Sequence, residues 1–185
     1  IRPVAQAAST IVSSGTPAAP EAYVDHAMAE LVKIYEGDGE QDKIIALFVE
    51  ISALPWPRAK SRALRHDAAR IAVALDKPST TERATGIYLQ LIDEDPHDAE
   101  AIERLGGLYE SGGRTVELLE LKRRLVHAAP TESARLTLRL EAARLEDDLG
   151  GVASAIAVLA ENLEESPRHD ATVKAVEQGT VQAGA

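Results

Sequence analysis

The sequence predicts an all-α array of about four helical hairpins followed by a terminal helix, on three observations. Apolar residues recur at three- and four-residue spacing from Glu21 onward, and no stretch alternates with period two. The breaks between apolar runs alternate in kind: every second break carries a proline, and those between carry glycine or polar residues. A set of residues also returns after 74 positions. Leu31, Val32, Tyr35, Ile44, Phe48 and Ile51 precede Leu105, Gly106, Tyr109, Leu118, Lys122 and Leu125 by that constant interval.

Residues 1–20 contain fourteen Ala, Ser, Thr, Pro or Gly and read as a linker or N-terminal arm, in which Val4, Ile11 and Val12 would anchor any short helix. The helical domain is expected over 21–180, with 181–185 as a tail. In "YVDHAMAELVKIYEG", Tyr23, Ala27, Leu31, Ile34 and Tyr35 share one face, and Gly37 and Gly39 stop the helix. "DKIIALFVEISAL" makes a second helix that ends at "PWP", because the residue before a proline is pushed out of helical geometry. "RAKSRALRHDAARIAVAL" is a third, followed by a "DKPST" loop with about four extra residues. "TERATGIYLQLIDED" is a fourth and ends at Pro96. "DAEAIERLGGLYESG" and "TVELLELKRRLVHAA" form the fifth and sixth, closed by Pro130. "ESARLTLRLEAARLEDDLG" and "VASAIAVLAENLEES" form the seventh and eighth, closed by Pro167. "DATVKAVEQ" opens a ninth.

Composition narrows the function. The 185 residues carry a net charge of −10, which opposes non-specific attraction to nucleic acid or anionic lipid. Aromatics are 3% of the chain, too few to form a base-stacking platform. The longest apolar run, residues 44–49, falls far short of the ~20 residues of a membrane span. There is no cysteine, so no disulfide and no thiolate metal site. The chain starts at Ile1 rather than Met and reads as a piece of a longer protein.

The fifth and sixth helices resemble the tetratricopeptide repeat (TPR) family, whose pattern runs Trp-x2-Leu-Gly-x2-Tyr, then Ala-x3-Phe, then Pro. Ile102 stands at the Trp place, followed by Leu105, Gly106 and Tyr109. Leu118 and Lys122 stand at the Ala and Phe places, and Pro130 closes the unit. Ala84, Tyr88 and Leu91 before Pro96, and Ala155 and Leu159 before Pro167, echo the second half. In the seventh helix Ala143 and Glu146 replace the Gly and Tyr. The closing prolines lie 34 and 37 residues apart, which suggests the 34-residue unit of that family. The resemblance covers roughly residues 22–180 and implies an α-α superhelix with a concave groove lined by the first helix of each pair. Lys122 departs from the pattern and is expected to lay its stem on the neighbouring helix and send its charge to water.

This register also interprets "LGGLYESGG", residues 105–113. Gly106 is expected to admit a neighbouring backbone, and Gly112 and Gly113 to end the helix. A phosphate cradle would need a preceding strand and a following Lys-Ser/Thr, and neither is present. Three His-Asp pairs occur in "RHDA" at 65–68, "PHDA" at 96–99 and "RHDA" at 168–171. Asp98 and Asp170 follow a closing proline and are expected to cap helices. "DEDPHD" lacks the spacing and central glycine of a calcium loop. No catalytic residue, cofactor or metal site is predicted.

By the resemblance, His26, Lys33, Arg62, Arg65, Glu103, Glu110 and Arg144 would face the groove. The expected function is a non-catalytic scaffold that binds a protein or peptide partner there, an acidic one given the basic segment 58–70, with no nucleic acid and no membrane span. Two alternatives stay open: a homodimer built through terminal repeats, and an accessory domain of a larger protein. The carboxylate clamp of some family members is not reproduced, because the only Asn, Asn162, lies on a second-type helix. Trp56, between two prolines, is expected to plug a joint between repeats.

Overall fold

A computed structural model describes residues 20–183. These form α1 (Pro20–Gly37), α2 (Gln41–Ser52), α3 (Arg58–Ala74), α4 (Pro78–Glu94), α5 (Ala99–Ser111), α6 (Thr115–Ala128), α7 (Glu132–Asp148), α8 (Val152–Glu165) and α9 (Asp170–Ala183). No strand occurs among the described residues. The expected linker at 1–20 lies outside them except for Pro20, which opens α1.

The structural period is 37 residues, not 34. α1, α3, α5 and α7 end at Gly37, Ala74, Ser111 and Asp148, each 37 residues after the last. Their partners α2, α4, α6 and α8 start at Gln41, Pro78, Thr115 and Val152, again 37 apart. Between them, a residue with positive φ recurs at Gly39 (71°), Asp76 (48°), Gly113 (65°) and Gly150 (79°), on the same interval. The turn is hydrogen-bonded alike in three hairpins. Glu40 N–H donates to Tyr35 O, Arg114 N–H to Tyr109 O and Gly151 N–H to Glu146 O, each at 2.8 Å. Such a six-to-one bond, with a left-handed residue before the donor, closes a helix end in a Schellman motif. The far ends of the hairpins vary, which is why proline spacing gave 34 in one interval. The 74-residue recurrence is two structural periods.

Pro78, Ser79 and Thr80 form the first turn of α4 rather than an inserted loop. Proline suits the first helical position, where its missing N–H costs no bond.

The chain divides into two compact units, with the division inside α4 after Leu91. In the first unit α2 packs on α1 and on α3. Its core joins Leu47, Ile51 and Leu64 to Val24, Met28, Leu31, Val32, Tyr35, Phe48 and Trp56. Trp56 does fill a joint: its Nε1 donates to Ile51 O at 2.7 Å. Lys60 stands 3.8 Å above its ring and pairs with Asp25 of α1 at 2.7 Å. α4 turns Ala84, Tyr88 and Leu91 inward, all fully buried, and His66 of α3 lies against Tyr88.

In the second unit each helix from α5 to α9 packs on the next. Asp98 caps α5 by accepting the Ala101 N–H at 3.0 Å. Thr131 caps α7 by accepting the Ala134 N–H at 3.2 Å. Asp170 is not a cap; it stands in the first turn of α9, where its charge favours the positive end of the helix. Lys122 reaches the neighbouring helix, but its charge is not left to water: it meets Glu141 of α7 at 2.7 Å. Glu146 occupies the place of Tyr109 one period later and is equally buried; Arg123 of α6 neutralises it.

Gly106 does not admit a close neighbour. A Cβ added at Gly106 or Gly107 would meet nothing within 4 Å. Gly113 does end the helix, in the left-handed conformation. The run is structural, but only its second half uses glycine for geometry.

Candidate functional site

In the second unit α7, α8 and α9 enclose an open cleft of ≈ 380 Å³. From α7 come Leu140, Ala143, Arg144 and Asp147; from α8, Val152, Ala155, Ile156 and Leu159. α9 adds Ala171, Lys174, Ala175, Val176 and Gln178. The cleft exists because four of these positions are alanine. Buried Ala143, Ala155 and Leu159 form its floor, packed against Leu140, Val158, Ala175 and Val176. Short side chains there let the helices lie together without filling the space above the floor. On α8, residues 155, 159 and 162 face inward at helical spacing. Val152 and Ile156, one turn apart beside that stripe, are each 37% exposed at the cleft.

Many cations of this unit are already committed. Arg114, Lys122, Arg123, Arg124, Arg135 and Arg139 all pair with carboxylates, and Arg135 and Arg139 share Glu165. Among the described residues, the side chains of Arg144, Asp147 and Lys174 make no ion pair or hydrogen bond. The cleft therefore offers two uncommitted cations and one uncommitted carboxylate around an apolar floor. Such a surface can hold an extended segment by combining aliphatic burial with charge-assisted contacts.

The residues expected to face a groove are distributed over both units. His26 and Lys33 are exposed on α1, where Lys33 pairs with Glu30 at 2.8 Å. Arg62 and Arg65 are half-buried on α3, and Arg65 Nε donates to Ser61 O at 3.3 Å. Glu103 and Glu110 are exposed on α5, two turns apart. Arg144 alone of the seven lines the cleft. Lys174, Val152 and Ile156 lie outside the positions that the repeat register marks. The available signal was α8 itself: "VASAIAVLA" is apolar on more than one face, so its apolar surface extends beyond the single stripe that one hairpin partner covers.

The His-Asp pairs form no common site. His66 is buried near Tyr88, while Asp67 turns to Arg70 at 2.9 Å. Asp95 accepts the His97 N–H at 3.0 Å in a local turn. His169 Nδ1 lies 2.8 Å from Thr172 Oγ1.

No helix among the described residues is long and apolar enough to cross a membrane. No protein-family model matches the chain, and no curated protein matches it. Among solved structures it is similar to nearly identical TPR-like repeats of a kinesin light chain from Podosopora anserina. That match has 20% identity and a TM-score of 0.47, over 85% of this chain and 87% of that chain. A single-residue variant of those repeats matches at 21% identity and a TM-score of 0.45, over 85% and 86%. The hairpin architecture is established by this chain's own 37-residue period and interhelical packing.

Proposed function

We propose that the protein is a non-catalytic interaction module that binds a partner's peptide segment, and that the α7–α8–α9 cleft is a principal binding site. The observation that carries this reading is the open cleft with an apolar floor, with Val152 and Ile156 on its wall and two cations uncommitted. The partner segment is acidic with aliphatic residues. Its carboxylates meet Arg144 and Lys174, and an aliphatic side chain lies on the Ala143–Leu159 floor. Arg62 and Arg65 on α3 extend the proposal to the first unit, with His26 and Lys33; Glu103 and Glu110 act as further contacts in the second.

Selection from a random peptide display library tests this. Peptides enriched for Asp or Glu beside Leu or Ile are expected. Ile156→Glu is expected to weaken them at least about tenfold, equivalent to ~1.4 kcal/mol, with helical content unchanged. Joint reversal of Arg62 and Arg65 to Glu tests the first unit in the same way, and equal binding after reversal removes them from the site. Peptides that ignore Ile156→Glu would place binding elsewhere. No enrichment of any peptide would overturn the reading.

Self-association is a second reading, favoured by the exposure of Leu149 at 45% beside Val152 and Ile156. Light scattering separates the two: a mass that stays monomeric at high concentration counts against it.

A further inference from the structure

Asn162 is the chain's only asparagine, and it is fully buried on α8. It continues the inward stripe of Ala155 and Leu159, where an apolar residue would serve packing better. Its amide is bonded in two directions. Nδ2 donates to Leu136 O of α7 at 3.0 Å and to Thr172 Oγ1 of α9 at 3.2 Å, and Oδ1 accepts from Arg139 Nη1 of α7 at 3.4 Å. Thr172 is likewise fully buried, and its hydroxyl also meets His169 Nδ1 at 2.8 Å. One side chain thus ties three helices together, and those three helices enclose the cleft.

The apolar face of α9 is poorly suited to fixing its own position. It meets the core through Ala175 and Val176, small groups that pack acceptably after a modest slide. The amide is different, because a buried donor must find its acceptor. Shifting α9 by one residue turns Thr172 by about 100° and moves it about 1.5 Å along the axis. The Asn162 donor would then lose its acceptor, which disfavours that register by roughly 5- to 150-fold in population.

We infer that Asn162 is the positioning residue of the cleft: its bond to Thr172 selects one register of α9 and so places Lys174 on the same cleft as Arg144. This rests on the cleft being the binding site, and it adds the device that holds the cleft in one shape.

The test uses the full chain with Asn162→Leu combined with Thr172→Val, which removes both ends of the buried bond together. Three readouts are compared: the denaturation midpoint, amide exchange and NMR signals of α9, and affinity for a peptide recovered on the wild-type chain. The inference expects a near-native midpoint. It also expects at least tenfold faster exchange in α9, more than one signal for Ala171, Lys174 or Gln178, and a roughly tenfold loss of affinity. Native exchange with single native signals would overturn it. Altered α9 signals with unchanged affinity would uphold the positioning role and instead remove the cleft as the binding site. If the double variant does not fold, Thr172→Ser and Thr172→Val carry the test. Serine keeps the hydroxyl and is expected to retain native α9 exchange, whereas valine is expected to lose it; identical behaviour would overturn the inference.

Discussion

Gly106→Ala and Gly113→Ala, the same chemical change seven residues apart, are expected to shift stability in opposite directions. Gly106 is inside α5, and a Cβ there meets nothing within 4 Å. Alanine brings no clash and removes the ~0.8–1.0 kcal/mol by which glycine disfavours a helix interior. Gly113 also has open space around a Cβ, but its φ is +65°. An L-residue there pays about 1–2 kcal/mol for left-handed geometry. Gly106→Ala should therefore stabilise the chain by about 1 kcal/mol and Gly113→Ala destabilise it by a similar amount. For a chain of this size each change corresponds to about 2–4 °C in midpoint. Urea titration and thermal melts followed by circular dichroism measure both. If Gly106→Ala destabilised the protein, α5 would have to approach a neighbour more closely than described, and the account of "LGGLYESGG" would fail.

Two further outcomes follow from the same geometry. Asp76→Gly should stabilise by about 1 kcal/mol, because Asp76 is the one non-glycine among the four left-handed turn residues; an unchanged urea midpoint would contradict the turn assignment. Glu165 accepts from Arg135 foremost and from Arg139, and these bonds hold its carboxyl down to about 2 from 4.5. Since the folded value is the lower one, this contribution is complete above about 4.5 and is lost as pH falls toward about 2. Glu165→Gln should flatten the acid limb of stability against pH in that window, and an identical limb would show the clasp to be inert.

Helix type and order were legible because a Leu-, Ile- and Ala-rich chain with three-and-four spacing has few other ways to bury its apolar surface. The repeat length was harder to read. Prolines mark the outer ends of hairpins, which vary, whereas the invariant feature is a backbone conformation that Asp76 adopts without any glycine signal. Glycine in a helix interior suggests close packing at Gly106, but the empty space beside it is set by where the neighbouring helices stand, which no local pattern carries. Arg144 was accessible from the repeat register. Lys174 and Ile156 were not, because their exposure depends on how far α9 stands from α8 across alanines. The repeat register gives Asn162 no role; its burial depends on Thr172 and Leu136, which no local pattern links to it.

Backbone NMR of the turns tests the central structural claim most directly. Helical signals should break at 38–40, 75–77, 112–114 and 149–151, with Asp76 showing the strong intraresidue amide–α-proton contact of a positive φ. Uninterrupted helix through any of those turns, or a negative φ at Asp76, would contradict the 37-residue hairpin on which the cleft depends.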